Sequence, residues 1–103
     1  MLTINKTTEN EKTVYYLEGR LDTVTSPELE NELRETLPGI SKLTFDLEEL
    51  EYISSAGLRV LLSAQKTMNK QGEMEIIRVN EAIMEIFEIT GFVDIMTISR
   101  KGE

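Results

Sequence analysis

The stretch FDLEELEYISSAGLRVLL, Phe45 to Leu62, contains the change of backbone period on which the fold turns. Leu43, Phe45 and Leu47 alternate with Thr44 and Asp46, as in a strand packed mainly on one face, so a strand is expected to end near Leu47. From Leu58 the apolar positions are Leu58, Leu61, Leu62 and Met68, offsets of three, four and ten residues that make one helical stripe. A short acidic loop is expected between the two. Ser54 and Ser55 lie just upstream of the stripe, where a hydroxyl can accept from unpaired N–H groups of the first turn, and Ser54 is assigned as the N-cap. A helix N-terminus also presents free donors and partial positive charge, so a phosphate on either serine has a place there. Ala56 and Gly57 add little bulk and leave the hydroxyls within reach of another protein. On local pattern alone, the alternative that both serines merely start a helix stands beside this one.

Working outward, Leu2 and Ile4 lie on one face of the N-terminal segment, and a polar turn over Glu9 to Lys12 leads into Thr13 to Glu18, which predicts a hairpin closed by Gly19. Ser26-Pro27 has the arrangement of an N-cap followed by a first-turn proline. The stripe Leu29, Leu33 and Leu37 carries that helix to Pro38-Gly39. Beyond the second helix, Gly72 is expected as a C′ residue, and Met74, Ile76, Ile77 and Val79 as a fourth strand. Asn80 is placed to cap a helix bearing Ile83, Ile86 and Phe87, which Gly91 stops. Phe92 to Ile98 is expected as a fifth strand, followed by a frayed polar tail from Ser99 to Glu103. Strands and helices alternate without repeats or an interdomain linker. The expectation is one α/β domain over 1–103, with a mostly parallel five-stranded mixed sheet, an N-terminal hairpin and three to four helices.

A chain of 103 residues can bury roughly two thirds of its unfolded surface without staples. It has no Cys and no His, which removes disulfides, the commonest zinc ligands, the commonest general base and the usual nucleophile pairings. With 11 basic and 19 acidic residues the net charge is −8, which disfavours direct binding of nucleic acid. The acidic surface either solvates the domain or complements a basic partner. No 18-residue apolar span and no signal-peptide pattern is present, so the expected setting is soluble and cytoplasmic.

These residues resemble the STAS domain, and in particular bacterial anti-sigma factor antagonists. The resemblance is carried by Asp46-Leu47, Leu50, Tyr52 to Leu58 and Val60 to Leu62, with Gly19 to Asp22 before the first helix and Gly91-Phe92 near the end. It implies that the unphosphorylated domain binds an anti-sigma factor that is also an ATP-binding serine kinase, so that a sigma factor is released. It implies further that the kinase uses its own ATP and Mg²⁺ to phosphorylate Ser55, two residues before the Gly57-Leu58 pair, and that a serine phosphatase can reset the switch. The family pattern usually has Asp where this chain has Ser54 and a second Ser or Thr where it has Ala56.

Open parallel sheets place function at the carboxyl ends of their strands. The surface expected to meet the partner is therefore Asp22, Glu48, Glu49, Ser54, Ser55, Gly57 and Arg59. Asp22 has a plain alternative as a loop carboxylate bonding local N–H groups. No cofactor, metal or catalytic residue is expected. An enzyme or nucleotide binder would need a Gly-rich phosphate loop or an acid, base and nucleophile cluster. A receiver domain would need paired acids after the first strand, and this chain lacks them. The remaining alternative is a non-switching STAS subunit or scaffold of a transporter-associated or stress-signalling complex.

Overall fold

The computed structural model describes residues 1–102. Its elements run in the order β1 (Leu2–Glu9), β2 (Lys12–Leu21), α1 (Ser26–Thr36), β3 (Lys42–Ile53), α2 (Ser55–Met68), β4 (Glu73–Val79), α3 (Glu81–Thr90), a 3₁₀ turn (Phe92–Asp94) and β5 (Thr97–Arg100). The sheet order is β1-β2-β3-β4-β5, which sequence alone did not yield. β1 joins β2 as an antiparallel hairpin, and every other neighbouring pair is parallel. The expected α/β domain with a five-stranded mixed sheet and three helices is the fold observed.

Three helices bury their stripes in one cluster with alternate strand positions. Tyr15 and Leu17 of β2, Leu43, Phe45 and Leu47 of β3 and Ile76 of β4 are fully or almost fully buried against Leu29, Leu61, Met68 and Phe87. Tyr15 stacks on Phe45 with ring centroids 5.8 Å apart. Its hydroxyl donates to Thr36 Oγ1 at 2.6 Å, which gives the phenol of a buried tyrosine the partner it requires. The other alternation of β3 carries Thr44 and Asp46, both buried. Asp46 accepts from Arg78 Nε at 2.9 Å.

Several boundaries differ from expectation, each for a local reason. β3 does not end at Leu47: it continues to Ile53, and the expected acidic loop is strand. Two register shifts against β2 insert an extra β3 residue each time, between the pairs Tyr16↔Asp46 and Glu18↔Glu49 and between Gly19↔Leu50 and Arg20↔Tyr52. The core positions of this half of the strand are therefore Leu47, Leu50 and Ile53, three apart rather than two. β2 likewise runs through Gly19 to Leu21. Gly19 sits at φ +103°, and a Cβ there would lie 2.3 Å from the Met1 carbonyl oxygen, so only glycine lets the first residue approach.

The N-cap of α1 is Thr25 rather than Ser26. Gly72 is no C′ residue, because α2 ends at Met68 with Asn69 as its C-cap. A Cβ on Gly72 would lie 1.9 Å from the Ser41 carbonyl oxygen, so this glycine serves a close crossing of chains. Phe92 starts a 3₁₀ turn, and β5 is only the four residues Thr97–Arg100. The expected frayed tail is tied down in part. Arg100 pairs with Glu88 at 2.8 Å and Glu81 at 3.2 Å, and Lys101 N–H donates to the Val79 carbonyl. Glu103 lies outside the described residues. Asn80 and Gly91 act as expected: Asn80 accepts from Ile83 N–H at 2.9 Å, and Gly91 closes α3 at φ +80°.

Candidate functional site

β4 pairs with β3 only as far as Asp46↔Ile77, and beyond that point β2 and β3 project together. Their tip is the pair Leu21↔Ile53, and the Ser54 N–H donates to the Leu21 carbonyl at 2.9 Å. The chain then turns directly into α2 at Ser55. The site therefore consists of two strand ends, the loop from Asp22 to Thr25 and the first turn of α2.

Gly57 sets how closely that first turn approaches. A Cβ there would stand 2.8 Å from Leu21 Cγ and 2.9 Å from Ile53 Cγ1. Gly57 is buried, Ser55 and Arg59 are exposed, and Ser54 is half-buried. The hydroxyl that the resemblance singles out is thus presented to solvent by a turn seated tightly on the strand ends.

Ser54 holds the N-cap position with extended backbone, φ −99° and ψ 176°. Its side chain makes no cap bond, and its hydroxyl is buried without a partner. The expected cap bond is corrected on this point. Thr25, the N-cap of α1, also makes no side-chain cap bond, and the Ser26 hydroxyl is buried without a partner. Two helices thus start side by side with no side chain closing either. Between them lies a groove of about 370 Å³ lined by Thr23, Ser26, Glu30, Ala56 and Arg59 among others.

Asp22 shapes the neighbouring loop. Its Oδ1 accepts from the N–H groups of Val24 and Thr25, each at 3.0 Å, so the loop-carboxylate alternative is realised in the structure. The Thr25 N–H is the main cause holding the Asp22 carboxyl below its ordinary value, with the Thr25 hydroxyl and the Val24 N–H acting in the same direction. The loop leaves Val24 81% exposed at the rim. Arg20 is 3.8 Å from the Asp22 carboxylate and lies 4.2 Å over the ring of Tyr52. Neither Arg20 nor Tyr52 was among the expected contact residues. Only the placement of Arg20 two residues before Asp22 hinted at the pair.

Glu48 and Glu49 separate. Glu49 is exposed, whereas the Glu48 carboxylate is engaged by Arg78 at 3.1 Å and Lys101 at 3.6 Å. Arg78 reaches that network because a register shift in β4 puts it at φ +56°, beside Asp46. Glu48 is therefore committed to the β3–β4 side, away from the two serines.

The family model described as STAS domain matches residues 3–102. The chain belongs to the STAS domain family. A relative named anti-sigma-B factor antagonist, from Staphylococcus aureus, is 33% identical over 104 residues, covering 99% of this chain and 96% of its own length. Among solved structures, an anti-sigma factor antagonist from Mycobacterium paratuberculosis superposes with a TM-score of 0.88 at 21% identity, covering 96% of this chain and 86% of that one. The Bacillus cell fate determinant SpoIIAA in its phosphorylated form gives a TM-score of 0.75 at 15% identity, covering 93% and 90%. In this STAS domain no helix among the described residues is long and apolar enough to cross a membrane.

Proposed function

We propose that this STAS domain is an anti-sigma factor antagonist whose affinity for its partner is switched by phosphorylation of Ser55. The observation that carries the reading is Ser55 itself, exposed at the first position of α2 while Gly57 presses the same turn onto Leu21 and Ile53. In this reading the unphosphorylated domain docks on an anti-sigma factor through Asp22, Glu49, Ser54, Ser55, Gly57 and Arg59, and the anti-sigma factor lets go of its sigma factor. Glu48 takes part only if its pairs with Arg78 and Lys101 open. The setting is the cytoplasm, and the chain acts as ligand and substrate rather than catalyst.

The modifying step is a phosphoryl transfer within that complex. The Ser55 Oγ forms a bond to the γ-phosphorus of ATP held by the partner, the bond to the β–γ bridging oxygen breaks, ADP leaves and the hydroxyl proton passes to a base on the kinase. The product carries about −1.5 to −2 charges at pH 7 on an edge that already bears Glu49 and Glu51. A hundredfold loss of affinity requires about 2.7 kcal/mol, within the range of a charge desolvated without a partner at an interface. A serine phosphatase restores the active form.

The test is incubation of the full chain with its cognate anti-sigma factor, ATP and Mg²⁺, followed by intact mass and site mapping. One phosphate on Ser55, absent in Ser55→Ala, with Ser55→Ala still binding, is the expected result. Phosphate on Ser54, or on neither serine with an active kinase, sinks the switch and leaves a non-switching STAS subunit in its place.

A further inference from the structure

Arg59 stands apart from the other arginines. The chain has five, and four of them pair with a carboxylate: Arg20 with Asp22, Arg34 with Glu30, Arg78 with Asp46 and Arg100 with Glu88. Arg59 is exposed and makes no ion pair or hydrogen bond among the described residues, although 19 acidic side chains surround a net charge of −8. Glu30, which lines the same groove, is turned to Arg34 on its own helix. The free guanidinium is therefore a property of this site.

Its position relative to Ser55 is set by helix geometry. Residues four apart on a helix share a face, and side chains lean toward the N-terminus, so position 59 puts a guanidinium within reach of a group carried on Ser55. An anion on the N-terminal member of such a pair is the favourable order. The first turn of α2 carries no acidic residue, and its N-cap makes no side-chain bond. Across the same groove, Ser26 is 3% exposed and its buried hydroxyl has no partner. An anion placed on Ser55 thus meets a cation one turn along and amides with no side chain over them.

Resting on the reading of Ser55 as the acceptor, we propose that its phosphate is held within the domain by Arg59 and the open start of α2. Modification then does two things to the docking surface. It adds a near-dianion, and it withdraws the one arginine among the described residues that is free to pair with a partner's carboxylate. The acids at this end of the domain are Glu30 on α1, Asp22 in the loop before it, and Glu49 and Glu51 on the last part of β3. They oppose its second ionisation equally in any Arg59 variant, so comparing variants isolates Arg59.

The experiment uses the full chain with phosphoserine encoded at position 55 during synthesis, which needs no kinase. A ³¹P titration at low salt compares wild type, Arg59→Gln and Arg59→Lys, with the Arg59 Nε–H resonance followed in phosphorylated and unmodified protein. The second phosphate pKa is expected to be about half a pH unit higher in Arg59→Gln than in wild type, with Arg59→Lys between them. The difference shrinks in 0.5–1 M salt, as roughly 3–4 Å screening requires for an exposed pair. The Arg59 Nε–H resonance shifts on phosphorylation. The affinity penalty of phosphoserine for the anti-sigma factor is smaller in Arg59→Gln, where the cation is already gone. Equal phosphate pKa values with an unmoved Arg59 resonance overturn the clasp, and an equal affinity penalty overturns the withdrawal. Because the phosphate is encoded, neither result depends on whether a kinase labels Ser55, so this proposal and the switch fail separately.

Discussion

Replacing Gly57 with Ala tests the geometry on which the site depends. The new Cβ would lie 2.8 Å from Leu21 Cγ, 2.9 Å from Ile53 Cγ1 and 3.0 Å from Leu21 Cδ2. None of these atoms has room to yield, since Leu21 is 0% and Ile53 3% exposed and the two are paired at the ends of β2 and β3. Overpacking of one methyl in such a place costs about 1–3 kcal/mol. Against this, Ala gains about 0.5–1 kcal/mol over Gly in a helix, and less in the first turn. The net expectation for Gly57→Ala is a loss of about 1 kcal/mol, or roughly 4–8 °C in thermal midpoint for a domain of this size. Gly57→Val adds two branched methyls and should lose about 2–4 kcal/mol. The assay is thermal unfolding alongside the rate of Ser55 phosphorylation, which should fall further than stability because the first turn is pushed off the strand ends. A midpoint in Gly57→Ala equal to or above wild type would falsify the close seating of α2.

The remaining predictions use the same kind of reasoning. Ser54→Ala should leave stability unchanged or raise it by up to about 1 kcal/mol, because the hydroxyl it removes is buried and makes no cap bond; a loss of about 1 kcal/mol in urea unfolding would mean that the hydroxyl caps α2 after all. Asn80→Ala loses both the bond from Ile83 N–H and the bond to the Leu50 carbonyl, each 2.9 Å. It should cost about 2 kcal/mol, and a cost below about 0.5 kcal/mol would show that neither bond contributes. For Asp22, the depressed carboxyl stabilises the fold at pH values above the ordinary 3.8, and that contribution disappears as pH falls through the lower folded value. The stability advantage of wild type over Asp22→Asn should therefore be flat from about pH 5 to 7 and shrink below about pH 4, whereas a constant difference across that range contradicts the loop bonds.

What could be read from the sequence followed how local each signal is. Asn80 and Gly91 act within three or four residues of themselves, so the cap of α3 and its left-handed stop were legible at single positions. The helical stripes were legible because one period persists through each helix. β3 defeated the same method beyond Leu47. Each bulge adds a residue that faces neither way in register, and Leu47, Leu50 and Ile53 then look like part of an irregular acidic loop. The pairing of Asp46 with Arg78 was equally hidden, since it requires a left-handed residue in β4 that no pattern of apolar residues announces. At the candidate site, the positions of Ser54 and Ser55 were visible but the orientation of the Ser54 hydroxyl was not. A side-chain rotamer at a helix start is set by tertiary packing, which no local pattern of residues carries.

The bulges that obscured β3 also explain why a charge at Ser55 can act locally. Once β4 departs after Ile77, the last residues of β3 have β2 as their only strand neighbour among the described residues, and the carbonyl of Leu50 is held from the side by Asn80. What fixes the tip is the apolar layer beneath it: Leu21, Leu50 and Ile53 are at most 3% exposed, and Gly57 closes against two of them. Ser55 is exposed in the first turn above that layer, so a phosphate there adds its charge at the surface rather than in the core. Its energy is spent at the surface on which a partner would dock, where about 2.7 kcal/mol gives a hundredfold change in affinity. A switch built this way would need a rigid base and an exposed acceptor, and Gly57 and Ser55 lie two residues apart in the same first turn of α2.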